Sequence, residues 1–275
     1  MGFKERLALE TGIKPNLLPT SYQVIGDVLL LKLVKIKSPS EKKKIAKSVV
    51  TILPYIKTVC EVKGVYGEFR KPKVEILLGK RTETTHKEHG ILYKLDPAKI
   101  MFSKGNLTER QRLLVQIKKG EVVVDMFAGI GYFSIPVGKT SRPKVVYSIE
   151  KNKASYQYLL ENVKLNRIEN IIPVLGDCRN LTLPEKADRV LMGYLPGTWR
   201  FLPAAFGFLK NRGIIHYHDT FSKKELWEKP LYILKKEAEK AGFRLEKILE
   251  KKIVKDYAPN VYHVVVDAVF SKTKK

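Results

Sequence analysis

Apolar residues along this chain recur at helical intervals in some stretches and gather into runs in others. In the first third, Ile45, Val49, Ile52 and Ile56 fall at helical intervals, which predicts a helix over residues 40–57 with one buried stripe. Tyr22 to Ile36 is rich in valine, leucine and isoleucine and reads as a strand. Val62 to Arg70 and Lys73 to Leu78 read as a strand pair turned at Lys71-Pro72. Thr82 to Gly90 is polar, carries His86 and His89, and reads as a boundary. The pattern predicts a small α+β domain over residues 1–90 and a second domain over residues 91–275.

The second domain alternates strand and helix, which implies a parallel sheet. Glu121–Phe127, Lys144–Ile149, Ile171–Leu175, Arg189–Met192 and Gly213–Tyr217 read as five strands. Tyr156, Leu159, Leu160 and Val163 mark a helix stripe, and a further helix is expected over Lys223–Ala241. Leu245–Val254 and Val261–Phe270 close the series around Pro259-Asn260, and with no helix between them they can pair antiparallel. The fold class is therefore α/β, a seven-stranded Rossmann-like sheet with an antiparallel last strand, plus the small N-terminal α+β domain.

Composition narrows the partner. Lysine and arginine total 52 against 28 acids in 275 residues, a formal charge of +24. Such an excess repels itself in the compact state, and a polyanion, above all nucleic acid, is the obvious use for it. A thermophile's charged surface would raise glutamate as well, and glutamate does not keep pace here. The clusters Lys42–Lys44, Lys118-Lys119 and Lys251-Lys252, with Lys80, Arg81 and Lys87, are singly solvated faces and together a track for a phosphate backbone. Cys60 and Cys178 lie far apart, without the spacing of a disulfide framework or zinc site. Reduced thiols suit the cytosol. The longest apolar run, Val28–Leu31, is too short to span a bilayer, and Met1–Thr11 has no signal-type core. A cytoplasmic protein without a membrane partner is expected, and no obligate protein partner is evident.

The main chemical signal is the stretch from Val124 to Phe133. Gly129 and Gly131 follow the strand and let the backbone pass close to a ligand. A dinucleotide fingerprint would want glycine or alanine at position 134, where this chain has Ser134. Asp125 just before the loop would repel a pyrophosphate and suits a cationic nucleoside, S-adenosyl-L-methionine. Glu150 ends the second strand about 20 residues on, where a ribose-binding carboxylate belongs. Asp177 ends the third, where a side chain can accept from an adenine amino group. Taken singly, Glu150 and Asp177 could equally be helix caps.

Before the first strand, Asn106 followed by Glu109 reads as a helix start, which puts Arg110 in the first turn. A cation there opposes the helix dipole. Arg110 is either solvent-exposed or turned toward the glycine loop. Together with Tyr93-Lys94-Leu95-Asp96, Phe102-Ser103 and the run Asp125–Pro136, this segment resembles the archaeal and eukaryotic tRNA guanine N1-methyltransferases and their wybutosine-synthesis relatives. These are class I methyltransferase folds. The resemblance runs from about residue 20 onward, and the extra N-terminal RNA-recognition domain of the guanine methyltransferases has no counterpart in this length. It implies that Ser103, Arg110, Glu150, Asp177 and Cys178 line the cofactor pocket, beside Asp125, Phe127, Gly129 and Gly131 from the loop. It implies tRNA, in particular phenylalanine tRNA, as the partner.

The two branches of that family differ after the fourth strand. An Asn-Pro-Pro type motif orients the target base in the methylating branch, whereas this chain has Met192-Gly193-Tyr194-Leu195-Pro196-Gly197-Thr198-Trp199. Tyr194, Leu195 and Pro196 are the candidate substrate-binding residues. The loop, and Tyr132 where the methylating branch usually has proline, look more like the wybutosine branch. That branch transfers a 3-amino-3-carboxypropyl group to 4-demethylwyosine at position 37 and releases methylthioadenosine. Methylation of the same base and a non-catalytic RNA-binding scaffold remain the alternatives. Arg110 and Asp125 are the catalytic candidates, without an assigned proton acceptor. His216, His218 and Asp219 invite a metal reading, but two histidines and one acid are a thin ligand set, and hydrogen bonding at a strand end is expected instead.

Overall fold

The computed structural model describes residues 1–102 and 107–274, and the chain forms two compact units divided after residue 103. Ser103 and Asn106, two of the positions singled out above, lie outside the described residues.

The first unit holds α1 (Phe3–Thr11), β1 (Tyr22–Ile25), β2 (Val28–Leu31), α2 (Pro39–Ile52), β3 (Thr58–Tyr66), β4 (Lys71–Leu78), β5 (Thr84–Glu88) and β6 (Ile91–Leu95). Strands β1 to β4 form one sheet in chain order, and β5–β6 is a separate hairpin. The single strand expected over 22–36 is instead a hairpin, because Gly26-Asp27 supplies a two-residue turn with Gly26 at φ +56. Helix α2 starts on the Ser38 cap and stops at Ile52, ahead of Pro54, which cannot extend it. The β3–β4 turn sits at residues 67–70, so Lys71 and Pro72 join β4, an edge strand that tolerates proline. The compact units divide after residue 103, so residues 82–90 belong to the first unit. The Thr84 hydroxyl donates to Asp27 at 2.6 Å and the Gly26 N–H donates to His86 Nδ1 at 3.2 Å, which ties the β5–β6 hairpin to the β1–β2 turn.

The second unit runs α3 (Leu107–Gln116), β7 (Val122–Asp125), α4 (Ser134–Thr140), β8 (Val145–Glu150), α5 (Lys153–Leu165), β9 (Ile171–Leu175), β10 (Ala187–Met192), α6 (Leu202–Phe208), β11 (Leu209–Ser222), α7 (Glu228–Lys240), β12 (Phe243–Ala258) and β13 (Val261–Lys272). Its seven strands are ordered β12-β13-β11-β10-β7-β8-β9, and β13 alone runs antiparallel to its neighbours. This is the expected Rossmann-like sheet. Strand β11 is longer than expected because β13 pairs with it from Arg212↔Ser271 to Ser222↔Val261, past the end of the parallel sheet. The helix expected from Lys223 begins only at Glu228, after a short turn closed by Ser222 and Glu225. Val124, Met126, Tyr147, Val190, Met192, Ile215 and Val266 share one core with Leu202, Phe206 and Leu234 from α6 and α7. Chain order reverses between β7 and β10, and the cleft outside that switch point is where open α/β sheets bind ligands.

Candidate active site

The strand ends at the switch point place the predicted residues around one rim. After β7 the chain makes a tight turn in which the Gly131 N–H donates to the Ala128 carbonyl at 2.8 Å. Gly129 and Gly131 have φ of +58 and +99, and a Cβ on Gly131 would stand 2.5 Å from Ile135 Cδ1. Only glycine takes both positions without strain. Asn162 on α5 donates to the Ile130 carbonyl at 3.1 Å and fixes the loop from behind, a role that no motif announces.

Asp125 is fully buried beneath this loop. Its carboxylate accepts from the Ser134 hydroxyl at 2.6 Å and from the Phe127 N–H at 3.3 Å, and burial pushes its pKa up to about 6. Asp125 thus builds the loop from inside. Ser134, whose presence breaks the dinucleotide fingerprint, is its partner. Glu150 at the end of β8 accepts the Gly129 N–H at 2.7 Å through one oxygen and the Asn152 N–H at 2.6 Å through the other. Burial raises its pKa as well. Asp177, after β9, accepts from Arg179 at 2.6 Å and lies 3.4 Å from Lys151. The Arg179 guanidinium holds it well below the usual carboxylate range. Asp177 does cap the short helical turn at residues 178–180, whereas α5 is capped by Asn152 rather than Glu150, and both acids remain only partly buried at the rim.

Cys178 is buried, and burial pushes its thiol up to about 12, so it packs as a small apolar group. It lines a cleft of about 500 Å³ with Leu181, Pro203, Ala204 and Phe208. Arg110 is 3% exposed, which removes the solvent-exposed reading. Its guanidinium lies over the Tyr132 ring at 5.2 Å, turned to the glycine loop. Tyr194 leaves β10 and packs on Phe127 at 5.2 Å and Phe201 at 5.6 Å. Leu195 is joined to Pro196 by a cis bond, and Pro196 is exposed. His216 and His218 do share a face of β11, within a buried polar cluster that includes Glu109, Arg189, His263 and Asp267, which the partly buried Arg112 joins through Glu109 and Asp267. Among the described residues no group of histidine, cysteine and acid side chains has the arrangement of a metal site. No helix among them is long and apolar enough to cross a membrane.

Three adjacent strands thus end in Asp125, Glu150 and Asp177 around a glycine turn. The acceptors left at that rim, Glu150 and Asp177, fit a nucleoside with hydroxyl and amino groups to donate and positive charge to balance, which is the chemistry of S-adenosylmethionine. Residues 84–246 match the family model described as the TRM5/TYW2 methyltransferase domain, and residues 6–82 match the TYW2 N-terminal domain. The chain belongs to the TRM5/TYW2 family. Among curated members of that family, the tRNA(Phe) (4-demethylwyosine(37)-C(7)) aminocarboxypropyltransferase of Methanocaldococcus jannaschii is 51% identical over 256 residues, 91% of this chain and 98% of that protein. The crystal structure of M. jannaschii TYW2 in complex with AdoMet superposes with a TM-score of 0.76 at 46% identity, covering 92% of this chain and all of that one. P. horikoshii TYW2 in complex with MeSAdo gives a TM-score of 0.84 at 37% identity, covering 98% of this chain and 100% of that chain. The TRM5/TYW2 fold here therefore carries the seven-stranded catalytic sheet and the small N-terminal domain that the sequence pattern predicts.

Proposed function

We propose that the protein transfers the 3-amino-3-carboxypropyl group of S-adenosyl-L-methionine to a 4-demethylwyosine-type guanosine at position 37 of tRNA. The carrying observation is the near full-length likeness to an enzyme of that activity, 51% identical over 98% of its length. The fourth-strand loop Gly193–Trp199, which lacks an asparagine, agrees with it.

In this reading Glu150 accepts the ribose hydroxyls, Asp177 and Cys178 border the adenine, and the turn at Gly129 and Gly131 passes beneath the sulfur end. Asp125 acts from below, by fixing the turn. Arg110 faces the amino-acid arm or the base, and Tyr194, Leu195 and Pro196 wall the base. S-adenosylmethionine, when bound, supplies an electrophilic carbon beside its sulfonium, and methylthioadenosine leaves when the γ-carbon is attacked. The protein's contribution is to hold the two reactants close and in line, which is worth several orders of magnitude in rate. Phenylalanine tRNA is the proposed substrate, the cytoplasm the proposed compartment, and the first unit the proposed RNA-docking domain.

The test uses tRNA carrying 4-demethylwyosine and cofactor labelled in the carboxyl or in the methyl group. Carboxyl label in RNA is the expected result. Methyl label would replace the reading with base methylation, and tight tRNA binding with neither label would leave an RNA-binding scaffold.

A further inference from the structure

The loop that leaves β10, residues 193–199, is held by a side chain from the next strand. Asp219 on β11 is 2% exposed, and both its oxygens accept twice. Oδ1 takes the Gly197 N–H at 2.8 Å and the Thr220 N–H at 2.8 Å. Oδ2 takes the Tyr217 hydroxyl at 2.8 Å and the Trp199 N–H at 3.2 Å. Within the loop the Thr198 hydroxyl donates to the Tyr194 carbonyl. On the other side the loop meets the glycine turn: Tyr194 packs on Phe127, and a Cβ on Gly193 would stand 2.7 Å from the Phe133 ring. Residues 193–199 are therefore gripped between β11 and the turn after β7.

A buried carboxylate is costly unless several donors converge on it. Here two of the four donors are main-chain amides of one loop, and that loop stands at the switch-point rim. We propose that Asp219, supported by Tyr217, is a positioning residue that sets where Tyr194, Leu195 and Pro196 stand against the reacting base. It touches neither reactant and acts through the backbone of Gly197 and Trp199. This inference rests on the reaction proposed above. A displacement of about 1 Å in a positioning element can lower a rate about 100-fold, so the latch has leverage without contact.

The chain has two tryptophans, Trp199 and Trp227, so 5-fluorotryptophan labelling gives the full-length protein two fluorine resonances, assigned with Trp199→Phe. With Asp219→Ala the Trp199 resonance is expected to move and narrow. Turnover of 4-demethylwyosine tRNA is expected to fall roughly 10- to 100-fold. The Kd for methylthioadenosine, read by calorimetry, should change less than about threefold, because no Asp219 contact reaches the acids at the ends of β7, β8 and β9. Asp219→Asn keeps one acceptor oxygen and should recover part of both signals. Tyr217→Phe removes one donor and should lower turnover about 2- to 10-fold, a milder variant that stands if Asp219→Ala does not fold. An unmoved Trp199 resonance with full turnover would overturn the proposal, as would methylthioadenosine affinity falling in parallel with turnover. Wild-type protein that transfers no label, yet shows the Trp199 response, would sink the reaction assignment and leave the latch standing.

Discussion

Arg189 donates from Nη1 to His216 Nε2 at 2.8 Å in the interior of the seven-stranded sheet. A guanidinium can only donate, so Nε2 accepts and the ring proton sits on Nδ1, directed at Asp267 2.6 Å away. Asp267 also accepts from Arg112, and Arg189 closes on Glu121 at 2.9 Å. One polar chain thus links α3, β10, β11 and β13 through the core. Breaking a buried network by removing one partner leaves charge uncompensated. Asp267→Ala should therefore cost on the order of 3–5 kcal/mol in urea unfolding. A loss below about 1 kcal/mol would mean that the chain contributes little to holding α3 on the sheet.

Acid should weaken the fold through two other histidines. His218 Nδ1 and His263 Nε2 are 3.0 Å apart, and burial lowers each ring to about 3 from its ordinary 6.5. Glu109, Asp267, Arg112, His216 and Lys255 are the charged and titratable groups that bear on them. The unfolded chain takes up both protons near pH 6.5 and the folded chain holds off until about pH 3. Stability should fall as pH drops through that window, by up to about 1.4 kcal/mol per pH unit for each ring. Asp125 works in the opposite sense between 3.8 and about 6, where the folded chain keeps a proton that the unfolded chain has lost. Unfolding at pH 7, 6 and 5 should show a shallower acid loss in His263→Gln than in the wild type. Equal slopes would remove His263 from the account.

Gly131→Ala puts a side chain at φ +99, a strain of about 1–3 kcal/mol, with its Cβ against Ile135. The turn should open while the sheet persists. Methylthioadenosine affinity is expected to drop at least about tenfold, with an unchanged far-ultraviolet circular dichroism spectrum. Retained affinity would show that the turn is not part of the nucleoside site.

Glu150→Ala removes the acceptor of two loop amides as well as the proposed ribose partner. Hydrogen bonds to a charged group contribute about 1.5–3 kcal/mol, so cofactor affinity should fall roughly 10- to 100-fold. Binding of tRNA in filter assays should be nearly unchanged. Equal loss of both would contradict the assignment of Glu150 to the cofactor.

Ser40, Lys43, Lys44, Lys47 and Thr51 form one exposed stripe of α2, opposite the buried Ile45, Val49 and Ile52. If this stripe tracks phosphates, replacing Lys43, Lys44 and Lys47 with serine should flatten the salt dependence of tRNA binding by about two to three units in the log–log slope. An unchanged slope would place the RNA track elsewhere on the chain.

Much of this was legible from residue order. The 3.6-residue stripes and the unbroken apolar runs between them exposed the α/β series, and the acids that close its first strands proved to stand at adjacent strand ends. What could not be read was partnership. Asp125 looked like a ligand contact from its place before the turn, but its partner is Ser134, nine residues on at the start of α4. His216 and His218 alternate in sequence, yet their partners come from β10, β13 and α3, so only the three-dimensional sheet order brings the set together. One signal was available for that cluster: Asp267 interrupts the apolar run Val264–Phe270, and an acid in a doubly covered strand needs a buried cation. The β1–β2 turn also had its signal in Gly26-Asp27, which a long apolar run concealed.

The twin bonds of Glu150 to Gly129 and Asn152 mean that, with Glu150 as the proposed ribose partner, that end of the pocket is cast before any nucleoside arrives. A mould of that kind grips the spent compound by the same atoms as the fresh one. Telling them apart then falls to the sulfur end, where one is cationic and the other neutral, so accumulated by-product should compete directly with the donor and slow each further round.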